Sequence, residues 1–168
     1  MTDISNGPAV ADGADPATGG SDAAAPWHLW AVGVVALLWN CIGAYDYVMS
    51  QTRNADYMRM MTEPYGYDTQ AAVEYFDSFP LWADTAWALG VWGAVAGSVL
   101  LLLRSRYAFH AFVVSLIGLV GANVHSLQKP MPGLSDSAMA LGMTAAITAI
   151  TLLLIWYARR QTAAGVLR

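Results

Sequence analysis

Four stretches of this chain, residues 27–49, 81–103, 107–126 and 138–157, are each mostly apolar over about 20 residues. At about 1.5 Å per residue, each is long enough as a helix to cross a hydrocarbon core of about 30 Å. Lipid offers the backbone no hydrogen bonds, so only helices and closed barrels can span it. A barrel would need strands of about 10 residues with alternating polarity, and "GVWGAVAGSVLLLL" (90–103) has no such alternation. The expected fold class is therefore all-α, a four-transmembrane-helix bundle. Composition agrees: 57% of the 168 residues are hydrophobic and 12% charged, with a mean hydropathy of +0.42. Soluble domains are less apolar and more charged.

The flanks divide the chain further. Residues 1–26 carry acids, Gly, Ala and Pro but no Lys or Arg, and predict a disordered acidic tail. The transmembrane domain covers 27–157, with a long outer loop over 50–80, and 158–168 is a basic C-terminal tail. A cleaved signal peptide would start basic and have a shorter apolar core, so the first span is expected to remain. Arg104, Arg106, Arg159, Arg160 and Arg168 fall on one side, against Arg53, Arg59 and Lys129 on the other. The positive-inside rule then puts both termini in the cytoplasm. Trp27, Trp30, Trp82, Trp156 and Tyr157 lie near span ends, as an aromatic belt would place them. Within the outer loop, Ala71, Ala72, Tyr75, Phe76 and Phe79 recur at helical spacing and predict a short amphipathic helix on the outer surface. Ser78 reads as the cap of the second span and Pro80 as its first-turn residue.

Helices in lipid associate through close packing, so stripes of small residues mark the faces that touch. Span two offers Ala86, Gly90, Gly93 and Gly97, including a GxxxG pair. Span three offers Ala111, Ser115, Gly118 and Ala122, and span four Ala138, Gly142, Ala145 and Ala149. Span one has Gly33, Ala36, Asn40, Gly43 and Tyr47 on one stripe, which turns Asn40 toward the bundle. Asn40 reads first as interhelical glue and second as a ligand contact. His125 extends the stripe of span three. Taken along their helices, Asn40 lies at about 20 Å, His125 at about 27 Å and Tyr47 near about 30 Å, so the three could line one polar pocket in the outer half, although His125, close to the exit of its span, reads first as a wetted interfacial residue. Asp46 sits about 100° from the stripe of span one, where it faces water, pairs with Arg53 or serves a proton or cation. Asp84 falls in the first turn of span two, where the helix dipole alone accounts for an acid. His110 reads as an inner interfacial residue.

Several function classes drop out. The formal charge of −4 and a pI near 5.1 give no basic surface for nucleic acid. The single cysteine, Cys41, permits neither an intrachain disulfide nor a multi-cysteine metal site. Met58, Met60 and Met61 share a loop, but without paired His or a repeated spacing they read as apolar filler rather than a Cu(I) site. No phosphate loop, nucleophile motif, HExxH or CxxCH is present. The reading is of a protein without cofactor or metal and without catalysis.

"WHLW", "LLWNCIGAYDYVM" and "WALGVWGAVAGSVLLLLR", within roughly residues 27–154, resemble a family of small four-span inner-membrane proteins of bacteria whose members often carry the label "sugar transporter". The resemblance implies a bacterial inner-membrane location and a four-span fold, and assigns no site residue. Internal repeats and broken helices around a midplane site mark many transporters, and this chain shows neither. Small multidrug exporters use a buried acid in span one, where this chain has Asn40. The expected role is a noncatalytic accessory or scaffold subunit, partnered by the bilayer and by a second copy or a larger membrane complex. The alternative is an oligomeric small-solute, sugar-like transporter.

Overall fold

The computed structural model describes residues 26–131 and 137–168; the tail expected to be disordered lies outside them apart from Pro26. Six α-helices follow in order: α1 Trp27–Gln51, α2 Ala55–Thr62, α3 Thr69–Asp77, α4 Leu81–Leu102, α5 Tyr107–Gln128 and α6 Ala138–Ala163. Among the described residues there is no strand. α1, α4, α5 and α6 are long and apolar enough to cross a membrane, which makes the chain a multi-pass membrane protein. α6 runs past the expected end at 157, because Ala158 and Gln161 are buried and continue its packed face.

α4 and α5 form an antiparallel hairpin through a short turn and lie nearly backbone to backbone. A Cβ on Gly93 would stand 3.0 Å from Ser115 N, and one on Gly97 would meet the Phe112 ring at 2.6 Å. A Cβ on Gly118 would collide with Gly90 N and lie 2.5 Å from the Ala86 carbonyl oxygen. Ser115 Oγ crosses the contact to donate to Gly90 O at 2.6 Å. Gly90, Gly93, Gly97 and Gly118 thus all sit in this one interface. Gly142 does not: no atom comes within 4 Å of where its Cβ would be, and Ala138, Ala145 and Ala149 are exposed with it. The packing face of α6 is instead Thr151, Leu154, Ala158 and Gln161, so the expected small-residue stripe points away from the bundle.

The two ends of the bundle differ. At the end carrying most arginines, Leu29, Leu101, Phe112, Leu154 and Ala158 form a closed core joined by Val166 and Leu167. The residues after α6 belong to this core rather than to a free tail. Gly165, at φ +69°, turns the chain, and Val166 N donates to Gln161 O, as at a Schellman helix end. Arg168 N then donates to Arg104 O at 2.7 Å, and Arg106 N to Arg168 O at 2.9 Å. His28 Nδ1 and Tyr157 Oη share a hydrogen bond of 2.6 Å, tying α1 to α6 at this end.

The opposite end is covered by the loop helices. α3 is the helix expected in the 50–80 segment, capped by Asp68, whose carboxylate accepts from Gln70 N at 2.8 Å. Ser78 closes α3, donating to Tyr75 O, and Pro80 occupies the cap position of α4, which starts without a side-chain cap. α2 is additional; Asn54 caps it by accepting from Tyr57 N at 2.9 Å.

Gly118→Ala should destabilise the bundle by about 1–3 kcal/mol, since the added methyl must push two helices apart. Gly142→Ala should change stability by no more than about 0.5–1 kcal/mol, in the stabilising direction. Thermal unfolding of both variants in detergent measures the contrast.

Candidate functional site

α1 and α6 approach each other at the arginine end and leave a cavity of about 550 Å³ between them over the half of the bundle nearer the loop helices. α4 and α5 form its back wall, through residues such as Trp87, Gly90, Ala94 and Leu119. Tyr57 and Met61 of α2 lie over its loop end, and Trp39, Ile42 and Met143 at its sides are exposed, so it opens toward lipid. Its size falls within the roughly 300–1,000 Å³ of small-molecule sites.

Asn40 and Asp46 both border this cavity, in different ways. Asn40 Nδ2 donates to Ser98 Oγ at 2.9 Å and to Ala94 O at 3.3 Å, so its amide nitrogen links α1 to α4. Ser98, fully buried, passes the bond on to Ala94 O at 2.9 Å. Two other polar side chains of the wall are also engaged, Ser115 with Gly90 O and Thr151 with Ile147 O. Asp46 accepts a hydrogen bond of 2.5 Å from the Tyr57 hydroxyl. It does not pair with Arg53. That guanidinium instead reaches Asp77 at 2.8 Å and Ser50 O at 2.6 Å, and lies over the Phe76 ring. Arg53, at φ +50°, ends α1 in a left-handed turn, which aims it back at α3.

Tyr57 is the site residue that sequence reasoning missed. Its pKa is raised well above the ordinary phenol range, first by burial, then by the hydrogen bond to Asp46 and that carboxylate's charge. The phenol therefore keeps its proton, and the donor to Asp46 stays in place. The one signal for it was Asn54, a helix cap three residues before it.

The remaining candidates lie elsewhere. Tyr47 packs edge-on against Trp87, with ring centroids 4.9 Å apart, and against Trp92. Asp84 accepts from Gln51 Nε2 at 3.1 Å and so joins the first turn of α4 to the last of α1. His125 is 3% exposed, among Phe79, Trp82 and Tyr75, with Nε2 unpartnered, and borders a smaller cavity of about 240 Å³ with Trp82 and Lys129. Asn40, Tyr47 and His125 thus do not share one pocket: helical phase turned all three inward, but Phe79, Trp82 and Tyr75 fill the space beside His125. Met58 is buried in α2 while Met60 is exposed, so the loop methionines point apart; His110 is exposed. No family model, no curated protein and no solved structure matches the chain.

Asn40→Leu should cost about 0.6–2 kcal/mol of stability, and a cycle with Ser98→Ala should recover a coupling within that range. For Tyr57 the sign follows from the raised pKa. Its contribution is complete below the ordinary phenol value of 10.0 and is lost as pH rises beyond it toward the higher folded value. Unfolding temperatures should fall above about pH 10 in the wild type, and less steeply in Tyr57→Phe.

Proposed function

We propose that the protein is a noncatalytic integral protein of the bacterial inner membrane, an accessory subunit that lodges an apolar guest between α1 and α6. The observation that carries this reading is the cavity of about 550 Å³, walled mainly by hydrocarbon and bounded toward the arginine end by the packed core. With arginines held on the cytoplasmic side, both termini lie inside and the cavity opens in the outer half of the bilayer. A guest from the outer leaflet would exchange one apolar surrounding for a better-packed one.

The sugar-like transport reading fits less well. A sugar needs many free hydrogen-bonding groups, because a hydroxyl buried without partners costs about 1–3 kcal/mol. Here Ser115 and Thr151 are spent on backbone carbonyls and Asn40 Nδ2 on α4. An accessory role also asks for an outward face. The exposed stripe of Ala138, Gly142, Ala145 and Ala149 offers one to a second copy or to a larger membrane complex.

Gly43 supplies the test. It borders the cavity, and nothing lies within 4 Å of where its Cβ would be, so the Gly43→Phe side chain starts into open space and adds its bulk at the cavity wall. Native mass spectrometry after mild-detergent purification should show an apolar molecule retained by the wild type and about tenfold less of it in Gly43→Phe, with the unfolding temperature unchanged. Equal retention by the two proteins, or none by the wild type, refutes the reading.

A further inference from the structure

Asp46 is the one charged side chain bordering the cavity. Among the described residues, neither ion pair involves it, and Arg53, seven positions along the chain, is committed to Asp77. Asp46 is half-buried at the cavity's border, and a carboxylate drawn even partly away from water is costly unless something compensates it. The Tyr57 hydroxyl supplies one hydrogen bond, to Oδ1, and a carboxylate has about four acceptor positions. Trp39, Trp87 and Tyr57 border the same space, and aromatic rings attract cations most strongly where water is excluded.

We propose that the guest of this cavity is a lipophilic organic cation, its positive charge held by the Asp46 carboxylate and its apolar groups lying against Trp39 and Trp87. The inference rests on the cavity-binding reading above and adds the sign of the charge. An anion of the same shape meets Asp46 repulsively, and a neutral guest leaves the carboxylate uncompensated. Tyr57 acts as a positioning residue: its hydroxyl fixes one carboxylate oxygen, Oδ1, and leaves the other without that bond.

Tetraphenylphosphonium and tetraphenylborate have the same shape and opposite charges. Binding of each is measured to the full chain in phosphatidylcholine nanodiscs, with protein-free discs subtracted. The wild type should bind the phosphonium saturably, at one per chain and at least about tenfold more tightly than the borate. Asp46→Asn, which keeps shape and hydrogen bonding, should erase that preference, Asp46→Glu should retain it, and Gly43→Phe should remove binding altogether. Equal affinity for the two ions, or a preference that survives Asp46→Asn, overturns the cation inference and leaves the cavity reading standing. Failure of the wild type to bind the phosphonium also overturns it, and retention of an apolar guest then decides the cavity reading separately.

Discussion

The close approach of α4 and α5 is the contact on which the rest of the structure hangs. Lipid rewards no burial of one apolar helix against another, so association depends on dispersion and hydrogen bonds at short range. Gly90, Gly93, Gly97 and Gly118 bring the two backbones near enough for both, and Ser115 uses the proximity to reach the Gly90 carbonyl. α1 then packs on α4, with Gly33 admitting Leu102 and Asn40 bonding Ser98, while α6 packs on α5. Two helices packed on different members of a tight hairpin need not meet each other. α1 and α6 do so at the arginine end, through His28 and Tyr157, and the space left between them becomes the cavity.

The opposite end is organised by a polar residue where the buried end uses a packed core. Arg53 adopts a left-handed backbone that costs a non-glycine residue about 1–2 kcal/mol. Its side chain offsets this by holding Ser50 O, Asp77 and the Phe76 ring together, which binds α3 to the end of α1. α2 is attached just beyond that turn, and its Tyr57 reaches back to Asp46. The site is thus assembled from a membrane helix and a surface helix whose relative position Arg53 sets.

The spans were readable because a run of about 20 apolar residues has few other outcomes. Their inner faces were readable where a stripe met a neighbour, as at Gly93 and Gly97, and misleading where it did not, as at Gly142. Periodicity gives the direction a side chain takes and says nothing of what it finds there. His125 turned inward as its phase required, but met the rings of Phe79 and Trp82. α2 escaped notice because its apolar residues, Tyr57, Met58, Met60 and Met61 among them, are mixed with charges over a helix of eight residues. The Asp46 partner could not be read from spacing, since Arg53 and Tyr57 are both near in sequence and only the turn at Arg53 decides between them.

The sideways opening past Trp39, Ile42 and Met143 would change what affinity means for the proposed guest. A guest arriving that way has already left water, so the apolar transfer energy that drives most pocket binding has been spent at the membrane surface. Occupancy then follows the mole fraction of guest among surrounding lipids, and lipid chains themselves compete for the space. Selectivity for such a guest would come from what bulk lipid cannot supply: the fixed shape between α1 and α6 and a polar group at a set depth.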